Sequence, residues 1–268
     1  MRAEPFDAST ALDWLEGRAR GLDALRLAYL TMRQAPSDEE IRRQLADQRS
    51  DGGFAPPWAP NYSGLDATCF RLARLKQAGV LPHVAPLAPA VTFLSGRQQL
   101  DGSWREEPPS GWLPPWLARE NPAALAYLTA NCGYLVCQLD FGQDAGDRAA
   151  RALASLMGPA MREAAPLQTL AQSAVILHAT RHDASSHAML EALARRLVEA
   201  TSAGALSWSL VALVDAGEWV ERSLISTLCA YLIQAQHNDG SWSSEDGPDA
   251  AVHVTLEALW GLRMADLW

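Results

Sequence analysis

The chain has 268 residues, a formal net charge of −9 and a hydrophobic fraction of 49%. That acidic balance argues against nucleic acid or an anionic membrane surface as a partner. No run of about 18 apolar residues offers a membrane span, and the length suits one closed domain over residues 1–268.

The first ten residues carry Glu4 and Asp7 and no apolar stretch, so no signal peptide is expected. Cys69, Cys132, Cys137 and Cys229 fall in apolar, helix-like stretches with no C-x-x-C pair. This suits buried thiols and a cytoplasmic setting. Ten tryptophans outnumber five Phe and five Tyr, which implies a structural repeat built on Trp, a Trp-lined pocket, or both.

In chain order, Ser37 with Glu40 reads as a capping box that opens a helix. Gln48-Arg49-Ser50-Asp51-Gly52-Gly53-Phe54 follows, then a loop over 55–63 with Trp58 and Tyr62, then Gly64-Leu65-Asp66-Ala67-Thr68-Cys69. The pattern returns as Gln98-Gln99-Leu100-Asp101-Gly102-Ser103-Trp104. Behind it comes a loop stiffened by Pro108, Pro109, Pro114 and Pro115, carrying Trp112 and Trp116 and placed like a lid. Gln143-Asp144-Ala145-Gly146 reads as a worn copy. His178 and His182 are four apart, but Asp183 and the serines before His187 mark a solvated helix end rather than a metal site. Trp208 falls on an apolar helix. Leu224, Leu228, Tyr231 and Leu232 recur at helical spacing before a third copy, Gln236-His237-Asn238-Asp239-Gly240-Ser241-Trp242. Val252, Leu256, Leu259 and Trp260 then mark a more apolar helix, which also carries His253.

The repeat is Q-x-x-D-G-[SG]-[WF]. Gln98 lies 50 positions after Gln48, and Gln236 lies 138 after Gln98, or three steps of 46. A unit of about 46 residues is a helical hairpin, and the length holds roughly six. Each Asp-Gly pair makes a tight turn between a polar outer helix and an apolar inner one. The expected fold is therefore all-α, an α/α barrel or toroid of about six helical hairpins.

The motif resembles the QW repeat of squalene-hopene cyclases, oxidosqualene cyclases and diterpene cyclase β-domains, complete at Gln98 and Gln236 and ending in Phe54 at Gln48. In that superfamily, which also holds the protein prenyltransferase β-subunits, the glutamine caps a neighbouring helix and stacks on the aromatic ring. The resemblance thus implies structural roles for Gln48, Gln98, Trp104, Gln236 and Trp242. It also implies a barrel, without an activity of its own.

The cyclases that protonate an alkene carry D-x-D-D-T-A at the start of an inner helix. With Thr68 on that threonine, Asp66 falls on the proton donor, while Gly64 and Ala67 replace the other aspartates. Burial would then have to tune Asp66 alone; the competing reading makes it a helix cap. Thr255 aligns with Thr68, which puts His253 beside Asp66 as an acid/base partner, against a reading as a buried structural histidine. Asp66, Cys69 and His253 are zinc-type ligands, but their spacing does not match the prenyltransferase D-x-C, and no metal or cofactor is expected. Trp58, Tyr62, Trp112, Trp116, Trp208 and Trp260 are the candidate walls of a pocket for a carbocation.

Two functions follow as expectations. One is a small cyclase acting on an apolar, isoprenoid-like substrate, an isomerase or lyase. Because large cyclases place substrate between two barrels, this single barrel would need a homodimer, a partner barrel domain or a smaller substrate held inside the ring. The other is a non-catalytic barrel, a binding module or partner subunit that has lost the catalytic acid motif. A glycosidase pair drawn from Asp66, Glu120 and Asp140 is too scattered in sequence to support.

Overall fold

A computed structural model describes residues 6, 8–80, 87–139, 143–200, 202–217 and 219–268. Among these, thirteen α-helices and no strands are formed. They are α1 (Ala8–Glu16), α2 (Leu22–Met32), α3 (Asp38–Gln44), α4 (Leu65–Gln77), α5 (Ala88–Gly96), α6 (Pro122–Gln138) and α7 (Gln143–Leu156). After these come α8 (Pro159–Ala164), α9 (Leu167–Ala179), α10 (Asp183–Arg196), α11 (Ala203–Asp215), α12 (Arg222–Gln234) and α13 (Ala251–Met264).

Six of them form a ring. α2 packs on α4, α4 on α6, α6 on α9, α9 on α11, α11 on α13, and α13 returns to α2. Several of these inner helices are buried nearly all round, as an inner layer requires: α6 from Leu128 to Val136, α9 from Thr169 to Leu177 and α13 from Val254 to Leu262. The outer layer lies against the ring, with α1 on α13, α5 on α4 and α6, α7 on α6 and α9, α10 on α9 and α12 on α11. The α/α barrel closes, and α8 is an extra short helix between two hairpins.

The outer helices start where local chemistry starts them. At α3, Ser37 Oγ accepts from Glu40 N at 3.3 Å. Glu40 Oε2 in turn accepts from Ser37 N at 2.8 Å. This is the expected capping box. Gln143-Asp144-Ala145-Gly146 corrects the sequence reading: it is no turn but the first turn of α7. Gly146 is small there because Cys137 packs over it; an added Cβ would lie 2.7 Å from Cys137 Sγ.

The three true repeats share one construction. Asp101 Oδ1 accepts from Ser103 N at 2.9 Å and Ser103 Oγ at 2.6 Å, and Asp239 does the same with Ser241. In the first copy Gly53 has no hydroxyl, and Ser63 donates to Asp51 instead at 2.7 Å. Gly52, Gly102 and Gly240 have φ of 90°, 87° and 86°, the region that favours glycine. Each also touches a neighbouring outer helix. A Cβ on Gly102 would meet Arg148 O of α7 at 2.3 Å, and one on Gly240 would meet Ala11 N of α1 at 2.4 Å. The turn of the sixth hairpin thus seats on the first.

The glutamines share one contact, and Gln98 departs from the expected helix cap. The side-chain nitrogens of Gln48, Gln98 and Gln236 donate to the carbonyls of Gly52, Gly102 and Gly240 at 2.9, 3.0 and 3.0 Å. Gln98 Nε2 also reaches Ala145 O of α7 at 3.0 Å, and Gln98 Oε1 accepts from Arg148 Nε at 2.9 Å. For Gln98 the amide therefore spans the turn and the neighbouring helix, because carbonyls and a guanidinium face it rather than free helix N–H groups. Trp104 Nε1 and Trp242 Nε1 donate at 2.7 Å to Leu94 O and Leu232 O on the preceding outer helices. Both rings are fully buried, and a buried indole N–H needs such an acceptor.

Candidate functional site in the barrel interior

A register of threonines marks three of the inner helices, α4, α6 and α13. Thr68, Thr129 and Thr255 each accept, through Oγ1, the backbone N–H of the aromatic residue that ends a repeat: Phe54 at 3.0 Å, Trp104 at 3.3 Å and Trp242 at 3.1 Å. The alignment of Thr255 with Thr68 therefore holds in space. Two residues before each threonine stand Asp66, Tyr127 and His253.

Asp66 and Tyr127 meet. Tyr127 Oη donates to Asp66 Oδ1 at 2.5 Å. Burial pushes the Asp66 carboxyl above its ordinary range and the negative charge of Asp246 adds to this, while the Tyr127 hydrogen bond works in the opposite direction. Tyr127 carries no charge anywhere near neutrality, since its pKa is raised well above the ordinary value, by burial first and by Asp66 second.

Asp66 is not a helix cap. Gly64 occupies the N-cap of α4 with no side chain to offer. The capping is supplied by Glu106 from the next hairpin, whose Oε1 accepts from Asp66 N at 3.0 Å, a carboxylate at a helix N-terminus. Glu106 Oε2 accepts from Tyr62 Oη at 2.7 Å, and that hydroxyl accepts from Glu107 N at 3.0 Å. Burial raises the Glu106 pKa as well. Tyr62 is thus a structural partner of Glu106. Its ring tilts against Trp58 at 6.2 Å, and Trp58 meets the edge of Trp112 at 5.9 Å, so the two long loops touch. Trp112 and Trp116 are 57% and 55% exposed, on the surface of their loop rather than facing inward as walls of a pocket.

His253 has a different partner, so the expected Asp66–His253 pair does not form. Arg26 Nη1 bonds His253 Nδ1 at 2.9 Å. A guanidinium only donates, so Nδ1 accepts and the hydrogen of the neutral ring sits on Nε2. Burial and the charges of Arg26 and Arg74 hold His253 well below the usual histidine pKa. The ring is boxed by Phe70 at 4.8 Å and Trp208 at 6.0 Å, both edge-on, and Phe70 stacks on Trp208. Trp260 stacks instead on Tyr29 of α2 at 5.9 Å, so it belongs to the core.

Arg26 is the hub of the seam where the first and last inner helices meet. It donates to Asp23 at 2.8 Å, to Gln77 Oε1 at 2.9 Å and to Glu257 Oε1 at 3.2 Å; Gln77 Nε2 donates to Glu257 Oε2 at 2.8 Å. Arg26 and Glu257 are both buried. Removing one partner of such a pair costs about 3–5 kcal/mol.

Beside this seam lies a small cavity, open to solvent on one side. Its walls include Trp208, Gln77, Glu257, Asn131 and Gln172. At one side Lys76 Nζ binds Asp215 Oδ2 at 2.6 Å, and Tyr134 Oη donates to the same oxygen at 3.1 Å. Of the expected pocket residues, Trp208 stands on this wall; Asp66 does not line it.

Tyr127, Glu106, Arg26, Glu257, Asn131 and Gln172 escaped the sequence reading. Tyr127 was within reach, since it precedes Thr129 as Asp66 precedes Thr68. No group of three or more His, Cys, Asp or Glu suited to a metal ion occurs among the described residues. His178 stacks on Trp219 at 4.0 Å and bonds the exposed Asp183 at 3.2 Å. Glu120 is exposed, and Asp140 lies outside the described residues.

No protein-family model and no curated protein sequence matches the chain. Among solved structures, a protein from Actinoplanes is similar, with a TM-score of 0.61, 15% sequence identity, and coverage of 96% of this chain and 98% of that chain. At this identity the likeness concerns the fold. No helix among the described residues is long and apolar enough to cross a membrane.

Proposed function

We propose that the chain is a small general-acid enzyme, terpene-cyclase-like, that protonates an apolar, isoprenoid-like polyene at Asp66. One observation carries this: a carboxyl whose pKa is raised by burial and whose side-chain partner is a neutral tyrosine. A carboxyl whose burial favours its protonated form is the kind of donor such chemistry needs. The proton passes from Asp66 to an alkene carbon, leaving a carbocation and a carboxylate. Tyr127 steadies that carboxylate by its hydrogen bond. The same carboxylate takes a proton back from a carbon next to the rearranged cation, so the sum is an isomerisation. Trp58 and Phe70 are the aromatic side chains proposed to steady that cation. His253 has no base role in this scheme, because its lone pair is engaged by Arg26. The cytoplasm, with its thiols reduced, is the proposed setting.

The test is a product assay by mass spectrometry on linear isoprenoids, free and as diphosphates, with and without Mg²⁺. A cyclised or isomerised product is expected from the wild type, abolished in Asp66→Asn and reduced roughly 10²-fold in Tyr127→Phe. Product surviving in Asp66→Asn would remove Asp66 as the acid.

A second reading, a binding module without chemistry, is favoured by a different observation: the cavity walled by Trp208 does not touch Asp66. Absence of product from every substrate would give it the weight.

A further inference from the structure

On α6 the residues Tyr127, Asn131 and Tyr134 follow at i, i+4 and i+7, one face of the helix. Tyr127 holds Asp66 and Tyr134 holds Asp215. Asn131, between them and about 6 Å along the helix from Tyr127, faces Gln172 of α9. Both amides are buried, at 2% and 3% exposure, and both line the cavity.

Gln172 Nε2 donates to Asn131 Oδ1 at 3.1 Å. That bond leaves Asn131 Nδ2 and Gln172 Oε1 with no hydrogen-bond partner among the described residues. Turning both amides over exchanges N for O and changes nothing in the count: a head-to-tail amide pair still presents one N–H donor and one carbonyl acceptor. Buried polar groups are nearly always paired, so two unpaired atoms on one wall ask for a partner.

The charges nearby define what that partner is. Lys76 is taken by Asp215 at 2.6 Å, and Glu257 is matched to Arg26 and Gln77. A net charge on a ligand would meet no free counter-charge among these groups. A neutral group that both donates and accepts would complete both amides. Ala73, Leu135 and Val211 supply apolar wall, and Trp208 a flat one.

We propose that this cavity is a binding site for a small neutral carboxamide or lactam, which donates to Gln172 Oε1, accepts from Asn131 Nδ2 and lays its apolar part against Trp208. The site stands apart from the acid at Asp66 and does not depend on it.

The test uses the full chain and two probes, ε-caprolactam and N-methylcaprolactam, with dissociation constants from ligand-observed NMR titration. The first has both donor and acceptor; the second keeps the ring and the acceptor and carries a methyl group in place of the donor hydrogen. Caprolactam is expected to bind at least about ten-fold more tightly than its N-methyl form. Gln172→Met and Asn131→Leu are expected to remove that preference, with helicity and Tm confirming that each variant is folded. Equal binding of the two lactams, a preference that survives in both folded variants, or binding of neither probe would overturn the proposal; in the last case the amide pair takes only water. The two-probe comparison is made on wild-type protein and so holds whether or not the variants fold. Wild-type cyclisation lost in Asp66→Asn bears on the acid alone.

Discussion

Thr255 and Thr169 both lie buried near the start of an inner helix, and they fare differently. Thr255 receives the Trp242 N–H at the end of a D-G-S-W turn. Thr169, in a hairpin without such a turn, has an Oγ1 with no partner among the described residues, and on the same helix the Gln172 Oε1 and Ser173 Oγ share that condition. The comparison shows what the turn does. It carries an aromatic backbone donor across to the threonine of the inner helix, and in α9, which follows no such turn, the Thr169 hydroxyl is left without that donor. On the same helix Gln172 faces the cavity.

The comparison is broken most severely at its glycines. Gly240→Ala places a Cβ 2.4 Å from the backbone of Thr10 and Ala11 at a φ of 86°. It is expected to cost about 3 kcal/mol or more in urea-denaturation stability. Gly217→Ala, at a φ of 95° with nothing within 4 Å, carries the backbone strain alone. Its expected cost is about 1 kcal/mol. Equal losses would show that contact with the next outer helix is immaterial.

Threonine substitutions sharpen it further. Thr255→Val leaves the buried Trp242 N–H without its acceptor and should lower stability by about 1–3 kcal/mol. Thr169→Val removes a hydroxyl that pairs with nothing among the described residues, so the same measurement should read neutral or slightly stabilising. A loss at Thr169 as large as at Thr255 would refute the account of the turn.

The smallest effects lie in the pH dependence, where the aspartates of the two regions have opposite signs. Asp66 has a raised native pKa, so the native state binds its proton more tightly than the unfolded chain does. Its contribution is full below the ordinary aspartate range and is lost as pH rises through the native value; Asp66→Asn should flatten that decline. Proposed activity should fall over the same rise. Asp101 and Asp239 are held low by hydrogen bonds from Ser103 and Ser241. Their contribution is present above the ordinary range and is lost as pH falls through the lowered values. Asp101→Asn and Asp239→Asn should each reduce the acid-side loss, read as Tm against pH.

The sequence by itself determined the layers. Period, turn chemistry and helical spacing are local properties, and they were enough for six hairpins, for the capping box at Ser37 and for the threonine register of Thr68 and Thr255. Asp66 was legible through that register, while its partner depended on which inner helix stands beside α4. Ring closure decided the rest. Only when α13 returns to α2 does Arg26 reach His253 and Glu257, which are 227 and 231 positions away. Only when α6 and α9 lie side by side does Asn131 meet Gln172. A side chain's partner across a barrel is set by packing between helices distant in sequence, and no pattern within one helix encodes it.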